Sequence, residues 1–149
     1  MSDLNIFDKK NIMSTKFSLT GNQTTAVDLS LLLIRIAAGG FMLTHGWGKL
    51  VKLINGTFEF ADPIGLGVEA SLILTVFAEI LCAFFILIGL FTRLAAIPLI
   101  ITMIVAVFVV HLDHDFGKKE SGLFFLINYL ALFLSGAGKY SIDSLIRKK

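Results

Sequence analysis

The chain has 149 residues, of which 56% are hydrophobic and 16% are charged. Soluble proteins have about 45–50% apolar and about 25% charged residues, so this composition predicts one membrane domain without a separate soluble domain. The formal net charge is +2, and the basic residues do not form the stripe that nucleic-acid binding requires. Nucleic acid is therefore excluded as a partner.

Residues 1–28 are polar and of mixed charge. They lack the apolar stretch of about 7–15 residues that a signal peptide contains, so we predict a polar cytoplasmic tail. Four apolar segments follow, over residues 29–51, 70–91, 93–112 and 122–136. Each is close to the roughly 20 residues that a helix needs to cross a bilayer. Residues 144–149 are predicted to form a short basic cytoplasmic tail.

The predicted fold is an all-α membrane protein, an antiparallel four-helix transmembrane bundle over residues 29–143. Lipid permits only helices or closed barrels, and these segments lack the alternation of strands. Lysine and arginine mark the cytoplasmic side. One predicted side carries Lys9, Lys10, Lys16, Arg93, Lys139, Arg147, Lys148 and Lys149, and the other carries Lys49, Lys52, Lys118 and Lys119. Both termini are therefore predicted to be cytoplasmic.

The first apolar segment carries a polar stripe. Arg35 lies about 9 Å inside it at the helical rise of 1.5 Å per residue, where an arginine either faces the bundle interior or extends to the headgroups. Arg35, His45 and Lys49 fall within an arc of about 80° on this helix. Neighbouring glycines leave room for a second helix or a ligand; these are Gly39, Gly40, Gly46 and Gly48.

Glu79 lies near the middle of the second apolar segment. An unpaired, ionised carboxylate is costly there, so we expect it to be protonated, paired or turned toward a polar cavity. Counted from the cytoplasmic ends, Arg35 is about 9 Å deep, Glu79 about 18 Å, His45 about 24 Å and His111 about 27 Å. Because side chains lean toward the N-terminus of their own helix, His45 is the better partner for Glu79. A shift of one turn, about 5.4 Å, makes Arg35 the partner instead.

His45 and His111 share one predicted level near the outer ends of the first and third helices. Two imidazoles at one level of a bundle can ligate haem, bind a metal or hydrogen-bond a quinone carbonyl, and purely structural roles are equally compatible. The candidate catalytic residues are Glu79, His45 and His111. The candidate cofactor-binding residues are His45, His111, Arg35 and Lys49.

The segment HLDHDFGKKE, over residues 111–120, contains two histidines at H-x-x-H spacing and two aspartates. These side-chain types ligate divalent metals. However, the spacing defines no tight set of ligands, and charged residues at the end of a span ordinarily face water. We therefore assign no metal site.

Four segments, taken in order, resemble the DoxX family of small four-helix bacterial membrane proteins. They are LLLIRIAAGGFMLTHGWGKL, FAEILCAFFILIGLFTRLAA, MIVAVFVVH and GAGKYSID, and together they extend over about residues 29–143. The matching positions are Arg35, Gly39, His45, Gly46, Lys49, Glu79, Gly89, Arg93, His111, Gly136, Gly138, Tyr140, Ser141 and Asp143. On the cytoplasmic face, Asp143 is expected to pair with Arg93 or Arg147.

The resemblance implies a role in membrane redox chemistry, because the family name is attached to a subunit of thiosulfate:quinone oxidoreductase. It implies a multi-pass subunit of a quinone-linked system in the bacterial cytoplasmic membrane. Quinone or haem is then the candidate cofactor, and other redox subunits or a second copy are candidate partners. The chain has no GxGxxG or P-loop motif, so electrons are expected to come from a partner or a bound cofactor. Two alternatives remain open: a pocket for a small apolar or lipid-like molecule, and a membrane anchor for peripheral proteins.

Overall fold

The computed structural model describes residues 23–147, and over this range it contains helices and turns but no β-strand. The helices are α1 (Gln23–Ile54), α2 (Val68–Ile88), α3 (Thr92–Val110), α4 (Phe116–Ser135) and α5 (Ile142–Arg147). The all-α prediction is confirmed. Of the predicted tails, residues 1–22 and 148–149 lie outside the described range, whereas 23–28 begin α1 and 144–147 lie in α5.

Within residues 23–147, three helices are long and apolar enough to cross a membrane: Thr24–Ile54, Val68–Ile88 and Thr92–Val110. They correspond to the first three predicted spans. The fourth predicted span is helical, but α4 carries Lys118, Lys119 and Glu120 in its first turns and is not among these three. A crossing by α4, and with it the four-helix transmembrane bundle, stays a prediction.

Glycines bring α1 and α2 into close antiparallel contact. A Cβ added to Gly39 would lie 3.0 Å from the carbonyl oxygen of Ala83 and 3.0 Å from Cβ of Leu87. About two helical turns farther along α1, a Cβ on Gly46 would lie 2.9 Å from Cβ of Glu79. Small residues allow two membrane helices to approach to backbone contact. This face of α1 therefore fixes which residues of α2 lie opposite it.

The second pair of helices, α3 and α4, completes the core. Their antiparallel packing is indicated by the contact of Gly122 with Val107 and by the hydrogen bond from Arg93 to the carbonyl oxygen of Leu134. Tyr129 of α4 is fully buried, and its hydroxyl donates a 3.0 Å hydrogen bond to the carbonyl oxygen of Ala38 in α1. This bond connects the α3–α4 pair to the α1–α2 pair. It also satisfies a phenol hydroxyl that has no access to water.

Large apolar side chains are exposed on the outer faces of all four long helices. Representative examples are Leu33, Phe41, Leu74, Phe84, Leu94, Ile101, Phe124 and Ile127. Soluble monomers rarely expose so continuous an apolar surface. The surface is suited to contact with lipid acyl chains, in agreement with the apolar composition of the spans.

Two segments are π-helical. Residues Phe77–Cys82 interrupt α2, and residues Ala106–Val110 end α3. In the second segment the N–H of His111 donates to the carbonyl oxygen of Ala106, a bond across five residues. Such wider turns are rare and occur frequently at functional sites. Here one contains Glu79 and the other ends immediately before His111.

The neighbouring glycines of α1 test the close approach of the two helices. Gly39→Ala is expected to destabilise the protein by about 1–3 kcal/mol, because overpacking forces the backbones apart. Gly40→Ala is the matched control, since a Cβ there meets no described atom within 4 Å. It is expected to be neutral or to stabilise by up to about 1 kcal/mol, the difference in helix propensity. Unfolding by denaturing detergent measures both, and equal effects would contradict the proposed contact.

Candidate functional site

Glu79 is the buried charge around which the candidate site is built. Its side chain is only 3% exposed, and it lies in the π-helical segment of α2 that faces Gly46 of α1. Both carboxylate oxygens accept hydrogen bonds from Nζ of Lys49, at 2.5 Å and 2.7 Å. The Lys49 side chain is 31% exposed. The pair therefore joins a buried carboxylate to a cation that reaches the surface of the protein.

The partner of Glu79 is thus neither His45 nor Arg35, the two residues that helix depths favoured. The predicted level was close, because Gly46, next to His45, contacts Glu79. However, successive residues of a helix point about 100° apart, and the His45 ring instead makes an edge contact with Phe125 at 5.6 Å between centroids. Lys49 is one turn farther along α1, and its long side chain leans back toward the helix N-terminus.

An apolar cavity of about 280 Å³ lies on one side of the ion pair. The cavity is bounded by α2, α3 and the loop before α2, and its polar boundary includes Lys49, Glu79 and His111. Apolar residues make up most of the rest, among them Phe60, Pro63, Ile64, Leu74, Ile101 and Val105. A largely apolar pocket with a few convergent polar groups is typical of small-molecule sites, and its volume is just below their usual range of about 300–1,000 Å³.

A smaller cavity of about 120 Å³ lies beside the first and shares Lys49, Glu79 and His111 with it. His45 and Lys118 line this second cavity but not the first. The structure therefore brings together four of the predicted site residues, namely Lys49, Glu79, His45 and His111. The cavity that both histidines line is much smaller than known ligand pockets of about 300 Å³ and above.

His111 has an unsatisfied polar atom. Its Nδ1 is buried and has no hydrogen-bond partner among the described residues. The neighbouring His114 contacts the ring edge-on, at 5.1 Å between centroids. Buried polar atoms are ordinarily hydrogen-bonded, and an exception calls for a water or a ligand. This atom is the observation in the site that favours a hydrogen-bonding ligand.

The loop that covers the larger cavity depends on Asp62, which the sequence analysis did not single out. Its carboxylate accepts hydrogen bonds from the N–H groups of Leu66 and Gly67 and from Oγ of Ser71. These bonds tie the loop to the start of α2. Phe60, in the same loop, lies 5.9 Å from Nζ of Lys49, measured to its ring centroid. The signal in the sequence is DPIGLG, since an aspartate before proline and glycines initiates turns.

Arg35 lies apart from both cavities. It is 1% exposed, donates a hydrogen bond to the carbonyl oxygen of Tyr140, and contacts the position that a Cβ of Gly89 would occupy. Gly89 has a φ of +70°, so both its conformation and its lack of a side chain are required. Arg35 thus anchors the C-terminal segment to the turn between α2 and α3.

Asp143 does not pair with Arg93 or Arg147, which corrects the expectation from their shared side. Its carboxylate accepts hydrogen bonds from the N–H groups of Phe91, at 2.7 Å, and Thr92, at 2.9 Å. These are free N–H groups at the start of α3, where a carboxylate is favoured by hydrogen bonding and by the helix dipole.

Within residues 23–147 no group of three histidine, cysteine, aspartate or glutamate side chains is arranged to hold a metal ion. The His111 and His114 rings contact each other, as the H-x-x-H spacing allows.

A family model described as DoxX matches residues 30–112 of this chain, which include Lys49, Glu79 and His111. The chain belongs to the DoxX family. The resemblance seen in the sequence is therefore confirmed, and with it the assignment to a family of membrane proteins.

Relatives are found in several bacteria. The "Inner membrane protein YqjF" of Escherichia coli is 30% identical over 128 residues, 82% of this chain and 95% of the relative. The "Putative oxidoreductase CatD" of Bacillus subtilis is 26% identical over 122 residues, 81% and 90% of the two chains. An uncharacterized protein of Haemophilus influenzae is 33% identical over 75 residues, 48% of this chain and 50% of that one. No solved structure matches the chain significantly.

The importance of the ion pair in this DoxX protein is tested by Lys49→Met. The substitution leaves Glu79 buried without its cation, and breaking a buried pair costs about 3–5 kcal/mol. We expect a loss of about 3 kcal/mol in the free energy of unfolding, the lower end of this range, because Lys49 is partly exposed. The double variant Lys49→Met, Glu79→Gln removes both charges and is expected to recover part of this loss. Lys52→Met, in the exposed part of the same helix, should change stability little; a similar loss in both single variants would contradict the argument.

Proposed function

We propose that this protein is an integral membrane subunit of a quinone-linked redox system in the bacterial cytoplasmic membrane. In this arrangement the four long helices form a transmembrane bundle with both termini on the cytoplasmic side. The larger cavity then opens beside the outer part of the spans. A bundle of this kind would receive electrons from another redox subunit, since the sequence contains neither a GxGxxG motif nor a P-loop motif.

One observation carries the proposal: an apolar cavity lined by a lysine–glutamate ion pair and by His111, whose buried Nδ1 has no hydrogen-bond partner among the described residues. A quinone headgroup is a flat apolar ring with two carbonyl oxygens, each of which accepts hydrogen bonds. The cavity of about 280 Å³ fits such a ring, and Lys49 and His111 supply the donors. The relative named as an oxidoreductase gives independent, weaker support.

The chain's own residues then have distinct roles. Reduction of a quinone to the quinol consumes two electrons, which the other redox subunit would supply, and two protons, which come ultimately from water at the membrane surface. The ammonium of Lys49 holds one carbonyl oxygen and can donate a proton toward it, while Glu79 fixes the position of the ammonium through both carboxylate oxygens. His111 orients the second oxygen through its free ring nitrogen. The apolar residues on the rest of the wall exclude water from the ring.

Binding is measured by the fluorescence of Trp47, the single tryptophan, which lies two residues from Lys49. Quinones quench tryptophan emission, so titration of the purified protein with a short-chain ubiquinone analogue gives a dissociation constant. His111→Leu is expected to weaken binding about fivefold to tenfold, the effect of losing one hydrogen bond of about 1–1.5 kcal/mol. His114→Leu is the matched control, because His114 lines neither cavity, and its affinity should be unchanged.

The same preparation separates the alternatives. It is extracted for bound quinone, and its absorption spectrum is recorded before and after dithionite reduction. A Soret band that shifts on reduction and disappears in His45→Ala or His111→Ala would replace the quinone proposal with a haem. A colourless protein that binds no quinone analogue but does bind fatty acid would establish the lipid-like pocket instead. Binding of neither molecule would favour a membrane anchor for peripheral proteins.

A further inference from the structure

A second, open groove lies at the opposite end of the helices from the ion pair. It has a volume of about 820 Å³ and lies among the turn before α3, the end of α4 and α5. The turn joins two helices that are each apolar enough to cross a membrane. A short turn between two spans lies at the membrane surface, so the groove opens at the level of the lipid headgroups.

Three cationic residues line this groove: Arg93, Lys139 and Arg147. All three are exposed. Arg93 uses one N–H group to hold the carbonyl oxygen of Leu134 at 3.0 Å, which fixes its guanidinium while leaving other donors. No acidic side chain in the described part of the chain forms an ion pair with any of the three.

Two carboxylates also line the groove, Asp28 and Asp143. Both are engaged by backbone donors. Asp143 accepts hydrogen bonds from the N–H groups at the start of α3, and Asp28 accepts one from the N–H of Lys139 at 2.9 Å. The buried Arg35 also lies within electrostatic range of Asp143. The carboxylates are thus partly neutralised by groups behind the groove, whereas no carboxylate of the described residues pairs with its cations. Nζ of Lys139 lies 5.9 Å from the centroid of the Tyr140 ring.

Thr92 supplies a further donor. It lines the groove and is 1% exposed, yet its Oγ1 has no hydrogen-bond partner in the described structure. Buried hydroxyls are ordinarily satisfied. A phosphate oxygen would accept this hydroxyl and the arginine and lysine donors together, because charge-assisted bonds to phosphate are among the strongest in proteins.

The rim of the groove is apolar. Phe91 and Leu94 line it and are 58% and 66% exposed, respectively. Leu94 is continuous with the exposed apolar face of α3. A ligand that fits this arrangement carries a negative headgroup and hydrocarbon chains. We propose that the groove binds the headgroup of an anionic phospholipid, with its acyl chains along α3. Basic pockets between membrane helices are known to select such lipids.

The test uses native mass spectrometry of the full chain in mild detergent. Dioleoyl phosphatidylglycerol and dioleoyl phosphatidylcholine are titrated separately, and their affinities are compared as a ratio. Each lysine or arginine near a lipid surface contributes about fivefold in affinity for anionic lipid. The double variant Lys139→Gln, Arg147→Gln should therefore lower the preference for phosphatidylglycerol about 25-fold. The control is the double variant Lys52→Gln, Lys119→Gln, which removes the same amount of positive charge from the other end of the helices. It should leave the preference for phosphatidylglycerol unchanged.

Thr92→Val tests the site without changing charge. Valine replaces a hydroxyl that has no protein partner, so the fold should be retained, and the affinity for phosphatidylglycerol should fall about fivefold through loss of one hydrogen bond to its phosphate. The ratio to phosphatidylcholine should change little, because both lipids carry that phosphate. Thermal unfolding monitors the fold of every variant. Three results would overturn the proposal: no preference for phosphatidylglycerol in the unmodified protein, equal losses in the control, or complete displacement of the lipid by inorganic phosphate, which would identify a site for free anions.

Discussion

The Lys49–Glu79 ion pair determines how α1 and α2 must meet. The Glu79 side chain is 3% exposed within apolar helices, and in its ionised form such a carboxylate is strongly destabilising without a cation at hydrogen-bonding distance. Lys49 can reach it only if the two backbones are close, and Gly46 makes that approach possible. The pair also divides the space around it into two cavities. Charge, helix contact and the shape of the candidate site are therefore set by one interaction.

Helix α1 connects this interaction to a second one at its other end. There Arg35 holds the C-terminal segment, and that segment places Asp143 against the start of α3. Arg35 and Lys49 thus meet different parts of the chain. The arginine organises the turns at one surface, while the lysine leaves one side of its carboxylate partner facing a cavity. This difference explains why only one of these two cationic residues belongs to the candidate ligand site.

The sequence was sufficient to predict the helices, the burial of Glu79 and the level at which α1 faces it. The partner was missed because helix depths locate backbones, whereas Lys49 spans nearly a helical turn with its side chain. Asp143 shows a related difficulty: positive charges on the same side suggested a salt bridge, but free N–H groups at a helix start compete for a carboxylate. Asp62 was overlooked because its partners are backbone groups of its own loop.

The π-helical turn around Glu79 also changes how α2 relates to its own sequence. A π-helical turn holds more residues than an α-helical turn, so the parts of α2 before and after it do not share one helical phase. Val68–Val76 helps to enclose the larger cavity, whereas Ala83–Ile88 packs on α1. An uninterrupted α-helix would keep one helical phase throughout. The first segment could then not line the cavity while the second segment packs on α1 with the residues that do so here. Deleting one residue here would restore an ordinary helix and turn one of these faces away from its neighbour.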